Sequence, residues 1–188
     1  MTVAMMLPTS LPVLTTFQAV AGGRSGGSFL VALAVAGYLA SWAAFGVVVY
    51  IPVLLATDLA ATVPWLKQHS SMAAPLLFFV AGAFQFSALK YRCLDKCRSP
   101  FSLVMQRWQG KRDRRNAFRL GFESGIFCVG CCWALMLLMF AFSVGSLAWM
   151  ALLAVVMAVE KNLSWGRRLS APVGASLLVA GVALLVLG

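Results

Sequence analysis

The stretch Glu123–Lys161, ESGIFCVGCCWALMLLMFAFSVGSLAWMALLAVVMAVEK, carries no charged side chain between Glu123 and Glu160. A hydrocarbon core about 30 Å thick takes roughly 20 helical residues, and unpaired backbone groups are too costly in lipid for anything but a helix or a closed barrel. The run 124–159 is too long for one such helix, and Ser143-Val144-Gly145-Ser146 in its middle supplies a turn. The stretch is therefore predicted to be a hairpin of two transmembrane helices. The strict alternation of a barrel strand is absent.

Outward from this hairpin, the gaps between charges mark further spans. Residues 1–23 precede the first charge at Arg24, 25–57 run uncharged to Asp58, a third span reads from Met72 to Leu89 and ends at Lys90, and a last one runs from Ala171 to Gly188. The expectation is an all-α, polytopic membrane helix bundle of about six transmembrane helices, a single transmembrane domain over 1–188. A composition of 62% hydrophobic and 11% charged residues excludes a soluble nucleic-acid binder. Five cysteines, an odd count in apolar or basic surroundings, exclude a disulfide-rich secreted scaffold. The first segment has no basic residue before Arg24 and contains Pro8 and Pro12, so it reads as a retained, kinked helix rather than a secretory signal.

Six spans place the linkers alternately on two sides. Arg24, ten cations from Lys90 to Arg119, and Lys161, Arg167 and Arg168 share one side, and Lys67 stands on the other. The positive-inside rule then puts both termini outside and makes 90–119 a basic cytoplasmic loop, in a multi-pass protein of the bacterial inner membrane. The net charge of +10 is explained by helix orientation and contact with anionic membrane lipid, with no nucleic-acid partner.

The residues suited to chemistry are sulfur ligands. At 100° per residue Cys132 is offset from Cys128 by about 40° and Cys131 by about 60° the other way, so three thiols fall within one arc of about 100°. Met139 returns close to the direction of Cys128, with Met136 at the edge of that face. Such a stripe suits Cu(I) and, with thiolates, zinc; hard cations want oxygen. Gly125 and Gly130 leave room for a neighbouring backbone. A second pair, Cys93 and Cys97, shares a face at i, i+4 where the third helix meets the basic loop, ahead of a stop at Pro100. Cys128 lies nine residues beyond Arg119, about 13 Å along the axis, so the arrangement reads as a surface pair leading to a buried triplet. The bland alternative is that buried cysteines and methionines only fill space.

The acidic groups read as anchors. Glu123 follows Arg119 by four residues and is expected to pair with it, and Glu160 with Lys161 is expected to cap the fifth helix at the interface. Asp58 and the sole histidine, His69, are expected to be solvated on the outer face. No Ser–His–Asp pattern and no glycine loop before a lysine support hydrolysis or nucleotide use.

The runs AMMLP (Ala4–Pro8), YRCLDKCRSP (Tyr91–Pro100), GIFCVGCCWALM (Gly125–Met136) and VEK (Val159–Lys161) together closely resemble a bacterial family of predicted metal-binding integral membrane proteins, a domain of unknown function with a GCCWALM motif. The resemblance covers nearly the whole chain. It implies functional positions at Met5, Met6, Gln85, Lys90, Cys93, Cys97, Arg98, Cys128, Cys131, Cys132 and Glu160. Family members often carry His just before the glycine of the fourth helix. This chain has Ser124 there, which leaves sulfur, with Met5 and Met6, as the coordinating set. Members also tend to have more residues ahead of the AMMLP stretch, which implies a shortened first helix here.

The leading expectation is a membrane protein that binds a soft metal, copper(I) before zinc, through Cys128, Cys131 and Cys132, with Cys93, Cys97, Met136, Met139, Met5 and Met6 as further candidate ligands. It would transfer the ion by ligand exchange with a metal-donor or -acceptor protein. The alternatives are a membrane thiol–disulfide oxidoreductase using Cys93 and Cys97 with the Cys128 group, and a structural subunit whose cysteines only pack.

Overall fold

The computed structural model describes residues 6, 10–21, 26–62, 72–99, 104–105, 113–141, 147–163 and 165–187. Seven helices stand among them, with no strand: α1 (Leu11–Ala21), α2 (Gly27–Thr62), α3 (Ala73–Gln85), α4 (Ala88–Cys97), α5 (Asp113–Ala141), α6 (Leu147–Asn162) and α7 (Gly166–Leu187). The chain divides into two compact units, one of Met1–Phe45 with Tyr91–Cys131, the other of Gly46–Lys90 with Cys132–Gly188.

Three helices contain stretches long and apolar enough to cross a membrane, Gly27–Leu55, Arg114–Met139 and Gly166–Val186. The expected third span is not one straight rod, because α3 and α4 meet at a bend of 65° and together make at most a fourth span. The local reason is a change of hydrogen-bonding at Phe86 and Ser87. Their amides fall back on the carbonyls of Ala83 (3.2 Å) and Phe84 (3.0 Å), closing α3 with tight turns, and the Ser87 hydroxyl accepts from the Leu89 amide at 3.1 Å to start α4. At 11 and 16 residues, α1 and α6 fall short of the roughly 20 that a bilayer core needs. The turn expected at 143–146 lies outside the described residues, as do Arg24, Lys67 and His69; helices α5 and α6 end and begin on either side of it. The stretch 90–119, expected to be a loop, is helical over its first eight residues in α4 and again from Asp113 in α5.

In the first unit, Phe17 of α1, Leu30 and Ala34 of α2, and Ala117 and Leu120 of α5 form a buried apolar cluster with Val104. In the second unit α3 lies along α7. Gly82 faces the Leu178 side chain, Gly174 faces Gln85 and Phe86, and Gly181 faces Phe78 and Phe79, so small residues let large ones interleave.

A buried ionic network closes the second unit. Lys90 Nζ donates to both carboxylate oxygens of Glu160, at 2.7 and 2.9 Å, and to the Gln85 carbonyl, while the Ser170 hydroxyl donates to Glu160 Oε1 at 2.9 Å. Both charges are almost fully enclosed, Lys90 at 1% and Glu160 at 2% exposure. Glu160, expected to work with Lys161, is instead enclosed against Lys90, its counter-charge across 70 residues of chain. Gly166 makes this possible at the α6–α7 turn: a Cβ there would run into the carbonyls of Val159 and Glu160, and without it α7 starts close enough for Ser170 to reach the carboxylate. The pair of exposed Arg119 and half-buried Glu123, by contrast, sits where the sequence put it, at 3.6 Å and spaced i, i+4.

Removing one partner of an enclosed ion pair strands the other charge, which costs about 3–5 kcal/mol, whereas replacing both with apolar groups is often neutral or stabilising. Glu160→Ala is therefore expected to lower the melting temperature in detergent strongly, and the double variant Lys90→Met, Glu160→Met is expected to recover most of the loss.

Candidate metal centre

The centre begins with a backbone contact inside the first unit. Gly121 of α5 faces the backbone of Ala34 in α2, Gly37 of α2 faces the backbone of Phe118 and Phe122, and Gly125 faces the Ser41 side chain and the Tyr38 carbonyl. A Cβ at Gly121 or Gly125 would overlap these atoms. The i, i+4 spacing of Gly121 and Gly125 keeps both on one face of α5, the arrangement that lets helix backbones approach most closely. The Ser41 hydroxyl, held against Gly125, donates back to the Tyr38 carbonyl at 2.7 Å. Tyr38 thereby stands beside α5, with its hydroxyl 3.0 Å from Cys128 Sγ.

Cys128 is 2% exposed, and its thiol points at the Met6 thioether, Sγ to Sδ 3.9 Å. The Met6 side chain is fully enclosed. Around this sulfur pair the Tyr38 hydroxyl lies 3.3 Å from the Met6 carbonyl, and the Ser10 hydroxyl lies 3.0 Å from both that carbonyl and Tyr38 Oη. One turn before Cys128, the Ser124 hydroxyl is buried with no hydrogen-bond partner among the described residues.

Cys131 is also 2% exposed, but its thiol donates to the carbonyl of Cys128 at 3.1 Å. It is thus tied to its own helix. Gly130 brings in α4: a Cβ at that position would meet Cys93 Sγ at 2.7 Å, so the missing side chain is what admits the sulfur. Cys93 and Cys131 are close enough to interact electrostatically. Cys97 is half-buried one turn farther along α4. Cys132 and Met139, each 2% exposed, and the half-buried Met136 belong to the second unit. Met5 lies outside the described residues.

The structure thus joins Cys128 to Met6 and sets Cys93 near Cys131, but among the described residues no group of three or more His, Cys, Asp or Glu side chains is placed to hold a metal ion. None of the five cysteines, all of them described, is in a disulfide. Tyr38 and Ser10 are the residues that sequence reasoning missed. An aromatic side chain inside an apolar helix reads as packing, and the spacing of Tyr38 from Cys128, 90 residues, leaves no local pattern to find.

Cysteine and methionine sulfurs are ligands that soft cations prefer. The chain belongs to the PpoB2 copper chaperone family, whose profile matches residues 1–184. No curated protein and no solved structure matches the chain.

Because Gly125 sets the separation of α2 and α5, Gly125→Val is expected to destabilise the protein by about 1–3 kcal/mol through overpacking. It should also expose Cys128, measured as faster alkylation of that thiol in the native protein.

Proposed function

We propose that the chain carries one Cu(I) ion as cargo between Cys128 Sγ and Met6 Sδ, inside a helical bundle embedded in a bacterial inner membrane, and passes it on by ligand exchange. The observation that carries this reading is the 3.9 Å separation of the two enclosed sulfurs. With metal–sulfur bonds of about 2.3 Å, that separation corresponds to an S–metal–S angle of roughly 120°. Two ligands at such an angle leave a third side of the ion open. A sulfur from a donor or acceptor protein can bind there before either resident ligand lets go.

Charge favours the same stoichiometry of ligands. A cation bound by one thiolate and one neutral thioether forms a neutral complex, whereas three thiolates would bury two net negative charges in an apolar interior, where isolated charge is very costly. The Cys131 thiol, engaged with a backbone carbonyl, fits a site that uses one thiolate rather than three. Zinc prefers four ligands in a closed structural site and three with water in a catalytic one, so a two-sulfur site favours copper over zinc. Cys93 and Cys131, across Gly130, are the next sulfurs on a transfer route, and the membrane supplies the apolar surroundings of α2, α5 and α7.

Detergent-purified protein is expected to bind one Cu(I) per chain and to lose most of that binding in Cys128→Ser, with weaker binding in Met6→Leu. Each thiol that gives up its proton to the metal makes affinity rise about tenfold per pH unit, so a single-thiolate site gives a slope of about one decade and a three-thiolate site about three. Copper occupancy that is absent, or unchanged in Cys128→Ser, would remove the proposal.

A further inference from the structure

The hydrogen bonds around Cys128 do more than hold a sulfur in place. The Tyr38 hydroxyl has one proton, and both Cys128 Sγ at 3.0 Å and the Met6 carbonyl at 3.3 Å lie within its reach. The Ser10 hydroxyl can serve Tyr38 Oη or the same Met6 carbonyl, each at 3.0 Å. While Cys128 is a thiol, its own proton points at the Met6 thioether, and Tyr38 donates to the Met6 carbonyl with Ser10 donating to Tyr38. Once Cys128 is a thiolate, Tyr38 turns its proton to the sulfur, and Ser10 takes over the carbonyl. All contacts of both arrangements are already present. Only hydroxyl protons rotate.

We infer that Tyr38 is the positioning residue for copper capture: its hydroxyl switches from the Met6 carbonyl to Cys128 Sγ as copper replaces the thiol proton, and Ser10 satisfies the carbonyl that Tyr38 leaves. This rests on the copper reading of the Cys128–Met6 pair. The exchange conserves charge and involves no oxidation. A copper-bearing thiolate donor, RS–Cu, and Cys128–SH become RSH and Cys128–S–Cu. The copper–sulfur bond of the donor breaks as the one at Cys128 forms, and the displaced proton leaves on the donor's sulfur. An anionic or partly anionic sulfur at 2% exposure needs a donor in place of water, and Tyr38, itself 4% exposed, supplies it. The Cys128 thiol lies within hydrogen-bond distance of the Met6 thioether, so the ion replaces the thiol proton beside both sulfurs.

The test uses the full chain in detergent, with Cu(I) affinity measured against a colorimetric chelator and the Cys128 S–H stretch read by infrared difference against Cys128→Ser. Loss of a hydrogen bond to a charged acceptor predicts that Tyr38→Phe weakens Cu(I) about ten- to hundredfold, while the S–H band of the copper-free protein, whose thiol faces Met6, keeps its frequency. Ser10→Ala, which removes a neutral bond, is expected to cost about fivefold. Because without Tyr38 the Ser10 hydroxyl stays on the Met6 carbonyl whether or not copper is bound, the double variant should bind no more weakly than Tyr38→Phe alone. An unchanged affinity in Tyr38→Phe, or losses that simply add, overturns the inference. Should Tyr38→Phe not fold, Ser10→Ala at wild-type affinity overturns it equally. If Cys128→Ser binds copper normally, the copper reading itself fails, while the infrared band still reports whether Tyr38 bonds to Cys128.

Discussion

The close backbone approach of α2 and α5 is the constraint from which the sulfur centre follows. Gly37, Gly121 and Gly125 remove the side chains that would hold the two helices apart, and the backbones of Ala34, Tyr38, Phe118 and Phe122 occupy the space. Dispersion contacts and small-residue packing are what bind helices whose surroundings are as apolar as their own surfaces. Once the rods are that close, the long side chain of Tyr38 spans to Cys128, and the residues before α1 can lay Met6 and Ser10 over the same spot. A side chain restored at Gly125 would act on the centre through the distance between helices, without touching a sulfur.

Electrostatics divides the polar side chains of the molecule in two. In the second unit the charges of Lys90 and Glu160 are paired with one another, with Gln85 and Ser170 adding hydrogen bonds. In the first unit the described groups around Cys128 are neutral dipoles: a phenol, an alcohol, a carbonyl and a thioether. Neutral dipoles that can reorient suit a site that takes up and gives back a cation, because they stabilise either state of the thiol without fixing one. A lysine beside Cys128 would hold the thiolate but would also repel any cation.

Much of this was legible in the residues. The long uncharged runs announced helices, and α2, α5 and α7 carry the stretches long and apolar enough to cross a bilayer. The clustering of Cys128, Cys131 and Cys132 placed three thiols on one arc, and all three are enclosed. Periodicity fixes the direction of a Cα–Cβ bond, though, and leaves open what the sulfur does at its end. Cys131 turns to a carbonyl three residues back, a local competition that a helical wheel does not represent. The break between α3 and α4 was hidden because Phe86 and Ser87 interrupt neither hydropathy nor charge; only the capping bond of Ser87 distinguishes them. Glu160 read as an anchor because Lys161 follows it in sequence, while its partner Lys90 lies in another helix. Met6 entered through the family resemblance, and Tyr38 through neither route.

The enclosed pair Lys90–Glu160 also bears on how the chain is made. During synthesis Lys90 emerges long before Glu160 exists, so a nascent chain passes through a period in which the ammonium has no carboxylate to meet. The second unit can close only after α6 has been translated, and Ser170 then locks the same carboxylate from α7. Premature termination anywhere ahead of residue 160 leaves Lys90 without this carboxylate on a segment built for enclosure, a defect that cellular quality control is well placed to notice.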